Sequence, residues 1–243
     1  MLPLDSMLKN LNLSGVKQHL LEVEQQAITQ SWSYQTFLSK LCEIELARRF
    51  QHRVLNWRKE SQLNPAKSLS NLKLEEYPQA VAQTIRQLQE DKDWVDSSTN
   101  ILLFGPSGVG KSHIANALGL NLIDQGVRVK SLSATNLVQQ LQTAKKDLEL
   151  MRFMTKLDKY RVMIIDDIGY VQKTEGETQV LFEFIAHRYE SGSLIITSNH
   201  PFSQWDSIFP NNLMTVAAVD RVVHHSKIIS IEGESYRKKQ AAH

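Results

Sequence analysis

From Leu11 to about Ser61 the apolar residues fall at helical spacing. Val16, Leu20, Leu21 and Val23 form one run, and Phe37, Leu38, Leu41, Ile44 and Leu46 form the next. Ser31 and Ser33 stand between the runs and can cap the second helix. At Asn64-Pro65-Ala66-Lys67-Ser68 the period breaks, and proline biases the residue before it away from helix. The pattern therefore predicts a small all-helical domain over 1–65 and a second domain over 66–243. Beyond the break the class of pattern changes. Short β-rich runs at Ile101–Phe104, Val127–Leu132, Val162–Ile165, Leu194–Thr197 and Ile228–Ile231 alternate with helical stretches. That alternation predicts an α/β fold, a parallel sheet covered by helices on both faces.

Composition adds bounds. At 243 residues, 42% hydrophobic and 22% charged, the chain can bury a real core as one large domain or one medium and one small. No stretch approaches the eighteen or so apolar residues of a membrane span, and Met1 to Asn10 lacks the basic-then-apolar form of a secretory signal, so a cytoplasmic location is expected. The single cysteine, Cys42, lies in the apolar-periodic run and reads as a small core residue. The formal net charge of +2 permits nucleic-acid contact without arguing for it. Arg48, Arg49, Arg53, Arg58 and Lys59 fit a solvated helix face or a DNA or partner surface equally well, because Glu43, Glu45 and Glu60 dilute them.

The most specific chemistry lies at Gly105-Pro106-Ser107-Gly108-Val109-Gly110-Lys111-Ser112, between the run Ile101–Phe104 and the helical pattern Ile114, Ala115, Ala117, Leu118. Glycines at this spacing let successive backbone N–H groups turn toward phosphate oxygens. Lys111 reaches the β- and γ-phosphates, and the Ser112 hydroxyl can hold Mg²⁺. The helix behind the loop adds the positive end of its dipole. A nucleoside triphosphate with Mg²⁺ is the expected ligand.

Val162–Ile165 delivers Asp166-Asp167 to the end of a strand, where open parallel sheets bind their ligands. In a phosphate-loop protein Asp166 holds Mg²⁺ through its waters, and Asp167 sits where a base polarises the attacking water. The run Ser193–Ser198 ends at Asn199, which spacing alone leaves open between an ordinary turn residue and an amide that orients the water or senses the γ-phosphate. His224-His225 is no metal pair, since adjacent side chains rarely converge on one ion and no further Cys or His supports it. Trp205, with Phe202 and Phe209, reads as a packing anchor rather than a base-stacking platform.

Taken together these residues resemble the IstB-like ATP-binding proteins, helper ATPases of insertion-sequence transposition related to DnaC-type helicase loaders in the AAA+ class. The resemblance runs through Gly105–Ser112, Asp166–Tyr170, Phe184–Tyr189, Thr197–Phe202 with Trp205, Asp220-Arg221 with His224-His225, and Gly233–Arg237. It implies an AAA+ P-loop core behind the helical domain. It also implies that Asn199 is the first sensor, that Arg221 is an arginine finger offered to ATP on a neighbouring subunit, and that Arg237 is the second sensor. AAA+ proteins mostly carry Asp-Glu where this chain has Asp166-Asp167, so slow, assembly-dependent hydrolysis is expected.

The implied partners are a transposase, double-stranded DNA and further copies of the chain with ATP between subunits; the rival is a replicative helicase loader. Ala134 to Tyr160 is long enough for two helices, and Lys145 and Lys146 within it are candidate phosphate contacts, with a solvated face as the alternative.

Overall fold

Helix α1 (Leu4–Asn10) precedes the first helical period, which α2 (Ser14–Thr29) and α3 (Tyr34–Ser61) carry. The computed structural model describes residues 3–169, 174–207 and 212–232. Ser33 caps α3 as expected, its hydroxyl accepting from the Thr36 amide at 3.1 Å. The chain divides into two units, Met1–Asn56 and Trp57–His243.

In the first unit Leu8, Val16, Val23 and Leu41 form a buried cluster, with Leu13, Leu20, Trp32, Phe37 and Ile44 packed against it. Buried in the same unit, Glu45 accepts from the Gly15 amide at 2.7 Å and from Arg49 at 2.9 Å. Burial pushes its carboxyl up, but the bonds from Arg49, Gly15, Val16 and Arg48 outweigh that and hold it at about 2. The periodic run does not all turn inward. Cys42, expected in the core, is exposed: it follows inward-facing Leu41 by one residue, a rotation of about 100° around the helix.

The division falls inside α3, ahead of the break expected at residue 65. Its physical basis is a strap just after the helix. Leu63 is buried, and the Asn64 amide donates to the Asn116 side chain at 2.9 Å, which returns bonds to Asn64 and Lys67 carbonyls at 2.9 and 3.0 Å. Residues 57–65 thus pack with the second unit. Glu60 there binds Lys159, Arg128 and Tyr160, and Lys159 leads the contacts that bring its carboxyl down to about 2.

Strands β1 (Asn100–Phe104), β2 (Val129–Ser133), β3 (Val162–Asp166), β4 (Ser193–Ser198) and β5 (Ser226–Ser230) form one parallel sheet in the order β2-β3-β4-β1-β5. β1 and β4 are buried along their whole length, and their apolar stretches Ile101–Phe104 and Leu194–Ile196 show no alternation. Helices α4 (Gln79–Glu90), α5 (Asp93–Asp96) and α6 (Lys111–Asp124) precede β2; α7 (Ala134–Lys146) and α8 (Leu150–Leu157) connect β2 to β3; α9 (Glu175–Arg188) and α10 (Asn212–His224) complete the set. The two helices expected between Ala134 and Tyr160 are therefore α7 and α8. Trp205 is buried, packs edge-on to Phe104 at 6.4 Å and donates to the His200 carbonyl.

Candidate functional site

The strand order sets the site. β4 lies between β1 and β3, so the C-terminal ends of three strands present Gly105, Asn199 and Asp166 along one edge of the sheet. At the end of β1 the chain turns through Gly105, Gly108 and Gly110 at φ of 148°, 88° and 97°, values that L side chains rarely adopt. Gly110 is the N-cap of α6, so the loop's amides and the helix dipole converge. Space demands glycine as well: a Cβ on Gly105 would strike the Ile231 carbonyl, and one on Gly110 would strike the Tyr77 hydroxyl. Val109 is buried beneath the loop.

Lys111, only 7% exposed, donates its amine to the Gly105 and Pro106 carbonyls at 2.7 and 2.8 Å. Next to it, Ser112 donates to Asp166 Oδ1 at 2.7 Å. Thr197 on β4 donates to the same oxygen at 2.7 Å and accepts from the Asp167 amide at 2.8 Å. Asp167 has φ of 62°, in the left-handed region that aspartate tolerates better than most residues. Its backbone bond to Thr197 and that of Ile168 to the Thr197 carbonyl at 3.0 Å hold this turn. Asn199, one residue past β4, buries its amide oxygen without a hydrogen-bond partner among the described residues. Such an atom costs about 1–3 kcal/mol until something donates to it.

The residues at this edge fit a nucleoside triphosphate with a divalent cation. The loop offers inward-turning backbone and a buried amine, the Ser112–Asp166 pair offers hard oxygen ligands, and Asn199 brings an amide lacking a donor to its oxygen.

Other predicted residues lie elsewhere. α10 runs back to the start of β5, so Arg221 in its last turn is exposed beside Ser98, Asn100, Tyr189, Glu190 and His225, at the N-terminal edge of the sheet. β1 alone separates that edge from the phosphate loop by about 17 Å. The Tyr189 hydroxyl and His224 Nδ1 are 3.3 Å apart, and the His224 and His225 rings meet edge-on at 4.3 Å. Among the described residues no group of three or more His, Cys, Asp or Glu side chains is placed to hold a metal ion. Lys145 pairs with Glu183 at 3.1 Å and Lys146 is exposed, both at the far end of α7 from its start at the strand edge. Arg48 and Arg49 bind Glu45, and Arg58 grips Asp124 at 2.6 Å, so much of the basic stretch serves internal ion pairs. Arg237 and Phe209 lie outside the described residues.

Two residues of this site receive no role from motif, although Thr197 lies within the family stretch Thr197–Phe202. Thr197 looks like any strand threonine until β4 is known to sit between β1 and β3. Tyr77, buried in the segment that follows the strap, bears on Gly110 from 33 positions away in sequence, and no spacing rule connects them.

Comparisons with known proteins agree with this geometry. A family model described as IstB-like ATP binding protein matches residues 6–243. An insertion-sequence ATP-binding protein of Sinorhizobium fredii is 42% identical over 235 residues, covering 97% of this chain and 79% of that protein. The ATP-binding protein of insertion sequence IS21 from Pseudomonas aeruginosa is 33% identical, over 98% of this chain and 89% of its own. Among solved structures, AMPPCP-bound DnaA from Aquifex aeolicus superposes with a TM-score of 0.59 at 20% identity, over 75% of this chain and 56% of that one. The DnaC helicase loader gives 0.56 at 19% identity, over 66% and 97%. At such identities these two likenesses concern the fold, which is the AAA+ P-loop fold. No helix among the described residues is long and apolar enough to cross a membrane.

Proposed function

This chain belongs to the IstB-like ATP-binding protein family, and from that premise we propose that it is a slow ATPase that assembles on duplex DNA with ATP bound and there assists a partner transposase. The observation that carries the reading is the shared bond at Asp166: one carboxylate oxygen ties the first residues of the phosphate-loop helix to the ends of β3 and β4. In this reading those bonds, with that of the Asp167 amide to Thr197, link the loop, the cation site and the turn carrying the proposed water-activating carboxylate.

In this reading the backbone N–H groups of 107–110 cradle the phosphates, and Lys111 leaves its two loop carbonyls for the β- and γ-phosphate oxygens. Ser112 and Asp166 would hold Mg²⁺, and the chemistry it would supply is neutralisation of charge on the phosphates. Asp167 accepts the proton of the attacking water. Being one methylene shorter than glutamate, it reaches less far, in keeping with slow turnover. Asn199 orients that water or the γ-phosphate through its buried amide. Arg221, at the opposite strand edge from its own phosphate loop, acts on the nucleotide of a neighbouring copy, where a guanidinium can be worth 10³–10⁵ in rate. Arg237 is assigned the second sensor role from the family motif.

The test measures phosphate release, particle size and binding to duplex and single-stranded DNA together, with ATP, ADP or no nucleotide. ATP-dependent assembly on duplex supports the proposal. With Arg221→Ala, ATP binding by the monomer should persist while turnover in the assembly falls; loss of monomer binding would contradict action between subunits. Preference for single strands with capture of a replicative helicase would replace the transposition reading with the loader reading.

A further inference from the structure

Between the end of α3 and the start of α4, residues 63–77 contain only two single turns, Leu69–Asn71 and Leu74–Glu76, yet they are held to α6 at four places. Leu63 packs on Gly119, where a Cβ would lie 3.0 Å from its Cδ1. The backbone of Asn64 and Lys67 is bonded to the Asn116 side chain. His113 Nε2 donates to the Ser68 carbonyl at 3.1 Å. The buried Tyr77 stands with its hydroxyl against Gly110. The strap is thus anchored at 119, 116, 113 and 110, every third position. Each step of three turns about 60° around the helix and advances about 4.5 Å, so the strap winds roughly half a turn around α6 before it reaches the phosphate loop.

The two ends of this path differ in what they join. At one end Gly110 is the N-cap of α6, at φ of 97°, and belongs to the phosphate cradle. Tyr77 closes the space beside its Cα, so a shift of Gly110 on taking up phosphate must displace the Tyr77 hydroxyl. At the other end the Leu63 amide donates to the hydroxyl of Ser61, the last residue of α3, which runs unbroken back into the helical unit. Midway, Asn116 spends its side-chain amide on the strap, one bond accepted and two donated. It lies about 9 Å along the helix from Gly110, so its effect on a ligand in the loop passes through the strap or the helix.

We propose that the strap senses the nucleotide: Tyr77 is a positioning residue for Gly110, and phosphate on the loop and the docking of residues 63–77 along α6 stabilise one another. This coupling rests on nucleotide binding at the loop, as proposed above. It adds a route by which that ligand bears on the chain leading to the helical unit. Being a linkage between two equilibria, it acts equally in both directions.

Hydrogen exchange of the full chain is followed with Mg²⁺ alone, with Mg²⁺ and ADP, and with Mg²⁺ and AMPPCP. Exchange over residues 63–77 should slow about tenfold with either nucleotide. Tyr77→Phe keeps the ring and removes only the hydroxyl. It should weaken AMPPCP binding about fivefold, the lower end of such couplings, and remove the slowing at Asn64 and Lys67, distant members of the same strap. Asn116→Ala leaves every residue of the loop in place and should weaken binding by a similar factor. The double variant should bind no more weakly than either single one, because both act through one element.

Additive losses would mean that Tyr77 serves the nucleotide on its own account, and would overturn the coupling. So would unchanged affinity in Tyr77→Phe, slowing over 63–77 that survives that substitution, or nucleotide binding that leaves 63–77 unaltered. Should Asn116→Ala not fold, Tyr77→Phe and the exchange of the natural chain still decide. A natural chain that binds neither ADP nor AMPPCP would overturn the nucleotide reading itself, and this coupling with it.

Discussion

The two units of this chain spend their apolar residues differently. In the α/β unit the inner strands β1, β3 and β4 carry apolar residues buried on both faces, with Ile101, Leu102, Leu103, Val162 and Ile195 fully enclosed, while the edge strands β2 and β5 are partly exposed. In the helical unit a four-residue buried cluster is edged by partly covered neighbours, while Leu21, Leu38 and Leu46 remain more than half exposed. A helix buries one stripe and can offer another, whereas a central parallel strand has no face to spare. Apolar periodicity thus measures burial in the sheet but only potential contact in the helices.

That contrast can be tested by substitutions confined to one unit, beginning with the largest expected effect. Glu45→Ala removes the carboxylate that satisfies the Gly15 and Val16 amides and both arginines, and should cost the helical unit about 3 kcal/mol. Faster hydrogen exchange should be restricted to the first unit. ATP binding should be unchanged, and a loss of binding would mean the units are not separable in this way.

The same carboxyl gives the helical unit a pH dependence. Its folded value of about 2 lies below the ordinary 4.5, so its stabilisation is complete above about pH 4.5 and is lost as pH falls toward 2. In Glu45→Gln the exchange rates of the first unit should be flatter over that window.

Next in size, Lys111→Ala should weaken ATP binding about 100-fold, as expected for losing a charged donor to phosphate, and leave the helical unit's exchange untouched. Titration with a fluorescent nucleotide decides it. Thr197→Val should follow. It strips a donor from Asp166 and an acceptor from the Asp167 amide, and should lower the ATP turnover number about tenfold with a smaller change in KM. Equal effects on both constants would show that Thr197 only supports the strand. At the small end, Leu21→Ala should change stability by less than about 0.5 kcal/mol, because that side chain is 75% exposed, whereas Leu102→Ala in the sheet should cost several times more.

Much of the molecule could be read from local pattern. All five strands fall where the apolar runs lie, with ends shifted by one or two residues, and α7 and α8 fill the long connection as expected. The phosphate loop is legible because its demands are local: positive φ at successive glycines and a helix starting at Lys111. Cys42 was not legible, since the period names a stripe without saying which of two adjacent stripes faces inward. Nor was the division at 56/57, because α3 runs unbroken through it and only the packing of residues 57–65 on the second unit marks the change.

By itself, then, the sequence determined the class of fold, the strand positions, the phosphate cradle and the identity of the carboxylates at the end of β3. Each depends on the conformational preference of a few consecutive residues. Tertiary structure alone decided that β4 lies between β1 and β3, that Thr197 consequently bridges Asp166 and Asp167, that Tyr77 stands against Gly110, and that Arg221 faces away from its own phosphate loop. Those placements join residues tens of positions apart, and only the packing of the whole sheet and its helices brings such distant groups together.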